Sequence, residues 1–243
     1  MTDFHAQPGN GPLYEQVRDL IVARVVSGEW TPGDRLPAET ELARQVNVSQ
    51  GTVRKALDEL CSTNLLVRHQ GRGTFVSTHN AERELYHFFH LAGADGVKRL
   101  PPRSDVIANT RRAANKKEIQ RLGLGRGDEV FALKRVRFLD GRAAIVETIV
   151  LPARHFEGFG AGGDIPNELY QLYEVSHGVT IHRASESLKA VAATRTDAKL
   201  LGIEVGTPLL EIDRIAETLD GEPVEWRVSR CDSRHHRYLN ENA

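Results

Sequence analysis

The sequence predicts an α+β protein with two domains: an N-terminal unit of three helices and a β-hairpin, and a C-terminal antiparallel sheet with helices. Three observations predict this organisation. Apolar residues recur at helical spacing in three segments that end before residue 65. A strand–turn–strand pattern follows at residues 66–76. A set of turn and strand residues then recurs about 80 positions apart in the remaining chain.

Composition places the chain among ordinary globular proteins. Of its 243 residues, 40% are hydrophobic and 27% are charged, with a formal net charge of −1, which excludes disordered, collagen-like and disulfide-rich classes. No apolar run reaches the roughly 18 residues of a membrane span, and no signal-peptide pattern opens the chain. Cys61 and Cys231 are too few for a disulfide framework, so we expect a cytoplasmic protein.

The first domain is predicted to contain three helices in succession. The first runs from Pro12 to Gly28, and the second opens at Pro37 and ends at Asn47, a residue that tolerates the left-handed conformation. Ser49 is a suitable N-cap for the third helix. The predicted inward residues of the three helices are Val17, Leu20, Ile21 and Val25, then Leu42, Ala43 and Val46, then Val53, Ala56, Leu57 and Leu60.

A hairpin follows, with a turn at Gly71-Arg72-Gly73 between its two strands. Three helices followed by a hairpin make a winged helix-turn-helix. The expected boundaries are a flexible arm at 1–11, this domain at 12–77, a linker at 78–84 and a second domain at 85–243.

The second domain contains an internal echo. Each copy predicts the end of a helix, a strand, a tight turn and a return strand, so two copies suggest one antiparallel sheet. The identities are few, and both coincidental turn chemistry and a true duplication account for them. The recurring residues are Leu122-Gly123, Gly127, Arg135 and Asp140-Gly141, and then Leu201-Gly202, Gly206, Arg214 and Asp220-Gly221.

Three ordered segments of the first domain carry a family resemblance. Residues 32–39 (PGDRLPAE), 48–57 (VSQGTVRKAL) and 71–76 (GRGTFV) resemble the GntR family of bacterial transcription regulators. The resemblance implies that the chain binds double-stranded DNA. Since residues 12–80 contain eight basic and eight acidic residues, net charge does not indicate a nucleic-acid partner, and the position of the charges has to carry the argument.

The third helix is the expected reading element, because a recognition helix enters the major groove by its N-terminal part. Gln50 and Arg54 share its exposed face, and these side-chain types can read adenine and guanine. Ser49 and Thr52 can bond phosphate at the helix start. A solvated amphipathic helix is the alternative interpretation. The full predicted DNA-binding set is Arg35, Ser49, Gln50, Gly51, Thr52, Arg54, Lys55, Arg68, Gln70, Gly71 and Arg72.

Two positions depart from the family pattern. Gln50 and Thr40 stand where family members commonly have arginine. Because two cationic contacts per subunit are missing, we expect an altered base preference and a shallower salt dependence of DNA binding.

The second domain resembles the UTRA effector-binding domain of the HutC-type branch of that family. The residues that carry the resemblance are 133–137 (LKRVR), the Asp140-Gly141 turn, Glu147, Leu151-Pro152, the Leu169-Tyr170 pair before Gly178, and segments 207–210 and 221–225. The resemblance implies a chorismate-lyase-like α+β fold, a small-molecule pocket and a homodimer. It also places Glu147 and Glu225 in the pocket as hydrogen-bond acceptors.

The strand before the first turn suggests the polarity of the pocket. Arg135 and Arg137 point to the same face, and two guanidiniums repel each other unless an anion joins them. A salt-bridged solvent face is the alternative, and Arg214 in the second copy is expected to form a structural salt bridge. A three-residue turn at 139–141 is predicted to put Glu147 opposite Leu133 on the Arg135 face, whereas a two-residue turn would put it on the other face.

Two further residues bear on the ligand. Glu168 and His87 stand approximately where sugar-phosphate-sensing relatives tend to have serine, and a carboxylate would repel a phosphate dianion. A carboxylate ligand with an amine or hydroxyl end therefore fits better. The predicted effector-binding set is His87, Arg135, Arg137, Glu147, Glu168 and Glu225.

These observations predict a dimeric, ligand-responsive repressor of a near-palindromic operator, without cofactor or metal. The His235-His236 pair with Cys231, and His177 with His182, lack metal-ligand spacing. An effector-independent regulator is an alternative, favoured by a pocket filled with side chains. A lyase-like enzyme is another, but no matched acid–base pair supports it.

Overall fold

A computed structural model describes residues 11–78, 90–93 and 103–239. The chain divides into two compact units, residues 1–78 and 79–243. The predicted linker and arm, apart from Gly11 and Thr78, lie outside the described residues, as does His87. No helix in the described ranges is long and apolar enough to cross a bilayer.

The first unit has the predicted order of three helices and a hairpin. The second helix begins two residues later than predicted, because Ala38 has an extended backbone with ψ 150°. The hairpin strands pair antiparallel, with His69 opposite Gly73. The elements are α1 (Leu13–Val26), α2 (Glu39–Gln45), α3 (Gln50–Ser62), β1 (Leu66–His69) and β2 (Gly73–Val76).

Contacts between neighbouring residues fix where α2 ends and where α3 begins. Asn47 adopts the left-handed conformation with φ 50°, which ends the preceding helix. The Ser49 hydroxyl accepts a hydrogen bond from the Thr52 amide at 3.1 Å, so the predicted N-cap is confirmed. All four predicted inward residues of α3 are buried, which leaves the opposite side of the helix in solvent.

The second unit is built on a six-stranded antiparallel sheet with the order β4-β5-β6-β9-β8-β7. A separate two-stranded ribbon pairs β3 with β10. The strands are β3 (Leu91–Gly93), β4 (Arg103–Ala113), β5 (Glu129–Leu139), β6 (Arg142–Pro152), β7 (Arg183–Ala192), β8 (Pro208–Glu217), β9 (Pro223–Cys231) and β10 (His236–Tyr238). The helices are α4 (Lys116–Leu122), α5 (Leu169–His177) and α6 (Arg195–Leu201).

The sequence echo corresponds to two strand–helix–strand–strand repeats. The first is β4-α4-β5-β6 and the second is β7-α6-β8-β9, and they meet at the central strands β6 and β9. Gly123 and Gly202 end the two helices in the left-handed conformation, with φ 62° and 66°. Both helices begin with a capping box, Asn115 with Glu118 in α4 and Thr194 with Asp197 in α6.

The predicted three-residue turn between β5 and β6 is wrong. Leu139 pairs with Arg142, so the loop consists of Asp140 and Gly141, with φ 49° and 75°. Glu147 nevertheless lies on the Arg135 face. A bulge inserts Ala144 as an extra residue in β6, which restores the alternation and places Glu147 directly opposite Arg135.

The two faces of the sheet are covered differently. On one face, Leu133 and Ile149 pack with Tyr170 and Tyr173 of α5. On the other, apolar residues of β5, β6 and β9 pack against the ends of α4 and α6, around Leu122 and Leu201. Odd-numbered residues of β5, which include both predicted arginines, therefore point into the α5 side.

Candidate functional site

All eleven residues predicted to bind DNA lie in the described part of the first unit. Ten of them are exposed, and Thr52 is half-buried beneath its hydrogen bond to Ser49. Gln50, Gly51, Arg54 and Lys55 lie on the solvent side of α3, opposite its buried face. The surface can therefore present amide and guanidinium donors to a nucleic acid without disturbing the core.

The wing residues are positioned by short-range contacts. Gly71 at the hairpin tip has φ 72°, and Gly73 has φ 113°. A Cβ atom on Gly73 would lie 3.0 Å from Arg35 Nε, so a larger residue there would displace the side chain of Arg35, a member of the predicted DNA-binding set. The Lys55 ammonium lies 3.7 Å from the centre of the Tyr14 ring, which holds it towards α1.

The second unit contains a buried ionic cluster on the α5 side of the sheet. Arg135 and Glu147 face each other across β5 and β6, with Nε and Oε2 2.6 Å apart. Arg137 Nη1 lies 3.5 Å from the other carboxylate oxygen, and Arg227 Nη1 lies 4.0 Å from it. Burial alone would raise the pKa of the Glu147 carboxyl, but the three guanidiniums hold it well below its usual range.

The equivalent strands of the second repeat carry a like-charged pair. Arg214 and Arg227 lie directly opposite each other on β8 and β9, an arrangement that is unfavourable without compensation. Glu225 accepts a hydrogen bond from Arg227 Nη2 at 2.7 Å, and Glu186 accepts one from Arg214 Nε at 2.6 Å. Arg214 also lies directly opposite Glu186 across β7 and β8, so each guanidinium of the like-charged pair has a carboxylate partner of its own.

Tyrosine hydroxyls extend this network. Tyr170 and Tyr173 of α5 donate to the Glu225 carboxylate at 3.2 and 2.7 Å. Arg214 Nη1 in turn donates to the Tyr170 hydroxyl at 3.4 Å. Tyr238 of β10 donates to Glu186, so the cluster reaches the β3–β10 ribbon.

Among the described residues, the cluster combines four guanidiniums with three carboxylates. The guanidiniums belong to Arg135, Arg137, Arg214 and Arg227, and the carboxylates to Glu147, Glu186 and Glu225. Because buried charges need partners, a guanidinium that exchanged its carboxylate for an anionic ligand would remain paired.

A narrow cavity opens among these groups. The cavity is lined by six residues of this ionic and hydrogen-bonded network, which are Arg137, Glu147, Glu186, Arg214, Arg227 and Tyr238. The free space is about 20 Å³, enough for a water molecule. A larger ligand would have to displace side chains, and the arginine–glutamate pairs are the contacts it would exchange.

The predicted effector residues lie at different depths. Arg137 and Glu147 line the cavity. Arg135 lies behind its wall, where its Nη1 donates to the Asn167 carbonyl at 3.0 Å, and Glu225 is buried beneath the α5 tyrosines. Glu168 precedes α5 and is half-buried, and it is not among the residues that line the cavity.

Sequence reasoning missed several wall residues, among them Glu186, Arg227, Ser229 and Tyr238. Arg214 forms the expected salt bridge, with Glu186, and it also lines the cavity. A signal for Arg227 exists in the sequence, because it stands 80 positions after Glu147, the offset that separates the two turns.

Neither a redox nor a metal centre is indicated. Burial raises the pKa of the Cys231 thiol well above its usual value, which keeps it protonated and a poor nucleophile. Within the described ranges, no group of three or more histidine, cysteine or acidic residues is arranged to hold a metal ion.

Comparison with known protein families agrees with both halves of this architecture. Residues 13–76 match the bacterial regulatory proteins of the gntR family, and residues 98–237 match the UTRA domain. The chain therefore belongs to the GntR family and carries a UTRA domain, as the sequence resemblance predicted. It is a DNA-binding transcription regulator with an effector-binding domain, and not an enzyme.

Individual relatives are similar over most of the chain. A probable fructoselysine utilization operon transcriptional repressor of Escherichia coli is 29% identical over 90% of this chain and 90% of its own length. A histidine utilization repressor of Pseudomonas putida is 30% identical over 86% of this chain and 84% of its own. The ligand-binding domain of a GntR-family regulator from Bordetella bronchiseptica superposes with a TM-score of 0.60, at 31% identity, over 65% of this chain and 99% of that domain.

Proposed function

We propose that this regulator is a homodimeric, cytoplasmic repressor that releases its operator when a small anionic effector enters the cavity of the second unit. The observation that carries the proposal is that three guanidiniums line one largely buried cavity. Arg137, Arg214 and Arg227 would bind the acidic group of the effector, since guanidiniums bind carboxylate and phosphate oxygens bidentately.

A carboxylate that also bears an amine or hydroxyl fits the cavity best. Glu147 and Glu186 line the same space and would accept hydrogen bonds from such a group, whereas they would repel a second negative charge. Two relatives are named for the utilisation of fructoselysine and histidine, compounds that combine a carboxylate with amino groups. Phosphosugars are the competing class.

On the DNA side, Gln50 and Arg54 would contact base edges, and Ser49, Thr52 and the wing would contact the backbone. Two copies of the chain would bind half-sites whose centres lie about one helical turn, roughly 34 Å, apart. Linkage then requires the operator and the effector to weaken each other's binding by the same factor. Equal effector affinity for the free and the operator-bound protein would contradict this coupling.

A ligand screen tests the effector proposal. The full-length protein is melted with small amino and hydroxy carboxylates and with phosphosugars. We expect a carboxylate to raise the Tm, because a ligand at about 100 times its Kd adds roughly 2.7 kcal/mol of stability. Arg137→Gln should abolish the shift, whereas Arg142→Gln, which removes an exposed cation at the start of β6, should retain it.

Three results would count against the proposal. A shift caused by phosphosugars alone would replace the carboxylate assignment. A shift that Arg137→Gln retains would place the ligand elsewhere. No shift from either class would favour a regulator without an effector, an alternative that the narrowness of the cavity also favours.

A further inference from the structure

Three of the predicted DNA-binding side chains converge on one carboxylate. Glu39 is the first residue of α2, and its side chain is 21% exposed. Its Oε2 accepts hydrogen bonds from Gln50 Nε2 at 3.1 Å and from Arg54 Nε and Nη2 at 3.0 and 2.9 Å. Its Oε1 accepts one from Arg68 Nη2 at 3.1 Å. A single residue thereby joins α2, the reading face of α3 and the first strand of the wing.

The geometry at Arg54 leaves one edge of its guanidinium available for DNA. Glu39 binds the edge formed by Nε and Nη2. The terminal edge, formed by Nη1 and the second hydrogen of Nη2, points along the side chain and is the one that can pair with the O6 and N7 atoms of guanine. Because Arg54 is held before DNA arrives, less side-chain freedom is lost on binding.

We propose that Glu39 is a positioning residue for sequence recognition, which orients Gln50 and Arg54 towards the bases. This inference rests on the assignment of α3 as the reading helix and adds a residue outside the predicted DNA-binding set. A carboxylate near phosphates weakens binding to any DNA, so its benefit must come from discrimination between sequences. Hydrogen bonds from Arg54 lower the pKa of the Glu39 carboxyl, so it stays ionised at neutral pH.

The neighbouring Glu41 provides a matched control. It lies in the same helix and accepts hydrogen bonds from Arg44 and Gln45, neither of which belongs to the predicted DNA-binding set. Glu39→Gln and Glu41→Gln remove the same charge from the same helix. Only Glu39→Gln changes the support of the reading side chains.

The experiment selects binding sites from a random duplex library with full-length wild-type, E39Q and E41Q proteins. Fluorescence anisotropy then measures Kd for the wild-type site and a scrambled site at several salt concentrations. Both variants should bind scrambled DNA somewhat more tightly, because a negative charge is lost. The ratio of scrambled to selected Kd should fall about ten-fold in E39Q, equivalent to ~1.4 kcal/mol, and stay within about two-fold of wild type in E41Q.

The outcomes separate the two assignments. If wild type selects a motif and E39Q keeps the same motif and ratio as E41Q, the role of Glu39 is overturned while α3 remains the reading helix. If wild type enriches no motif, the reading role of α3 fails and the inference fails with it. If E39Q still binds scrambled DNA, the protein is folded, and a fall in the ratio of scrambled to selected Kd reports lost discrimination between sequences.

Discussion

The two repeats of the central sheet share their backbone design and differ in their charges. Each has a capped helix that ends at a left-handed glycine, two long strands and a bulge just after the turn. The bulged residues, Ala144 and Val224, are themselves 80 positions apart. At the next equivalent pair the repeats diverge, because Glu147 in the first is replaced by Arg227 in the second.

This difference changes the partners of the buried arginines. In the first repeat, Arg135 faces the carboxylate that neutralises it. In the second, Arg214 lies between Arg227 on β9 and Glu186 on β7, and Arg227 pairs with Glu225 on its own strand. A duplicated frame with one reversed charge thus places two guanidiniums side by side in the lining of the cavity.

Neutralising Glu147 in the first repeat should lower the unfolding free energy more than neutralising the equivalent Arg227 in the second. Glu147→Gln leaves several buried guanidiniums without their shared carboxylate, and breaking a buried pair in this way costs about 3–5 kcal/mol. Arg227→Gln should cost less, roughly 1–2 kcal/mol, because Glu225 keeps two phenol donors and Arg214 is relieved of a like charge.

Urea unfolding followed by Trp226 fluorescence measures both effects in a Trp30→Phe background, where the signal comes from the second unit alone. Asp105→Asn, which breaks an exposed pair with Arg103, is the control and should leave the unfolding free energy nearly unchanged. Equal losses in E147Q and R227Q would mean that the two halves do not differ in the way the charges suggest.

The penalty of Glu147→Gln should also depend on pH. Arg135 and Arg137 from β5 and Arg227 from β9 face this carboxylate, with Ser229 beside it, and its folded pKa lies well below the unfolded value of about 4.3. Its stabilisation is therefore fully present above that value and is lost as the pH falls towards the folded pKa. The free-energy gap between wild type and E147Q should be constant from pH 7 to about 5 and shrink below about 4. A gap that stays constant down to pH 3 would show that Glu147 does not titrate as inferred.

The two units differ in how far contacts between residues near in sequence determine their structure. In the first unit, the start of α3 at Ser49 and the left-handed conformation of Asn47 depend on contacts within a few residues. The residue types at these positions were therefore enough to predict both features. The edge strands β4 and β7 were not predicted, because strands half in solvent carry a weak apolar signal. Glu147 was assigned to the correct face through the wrong turn, since the bulge at Ala144 has no local signature that distinguishes it from regular strand.

The site shows the same division. Arg137 was predicted because it alternates with Arg135 on one strand, and Glu147 because of the family resemblance. Glu186 and Tyr238 reach the cavity from β7 and β10, and β10 pairs with a strand far away in sequence. Arg227 could have been predicted by applying the 80-residue offset of the two turns to Glu147 as well. That step requires the recurring residues to be treated as a true repeat.

The smallest expected difference between the repeats is at their helix caps. Asn115→Ala removes the acceptor for the Lys117 and Glu118 amides, and Thr194→Ala removes the acceptor for the Asp197 amide. Each loss should cost about 1 kcal/mol, because a capping side chain satisfies amides that the helix itself leaves unbonded. Glu118 and Asp197, the acidic residues of the two capping boxes, are buried. Glu118 also binds Arg112, and Asp197 also binds Arg230, so each carboxylate keeps a partner when the capping side chain is removed. The same urea titration should therefore give similar midpoint shifts for the two variants. A much larger loss in one of them would mean that this helix is held mainly by its cap, whereas the other relies on packing against the sheet.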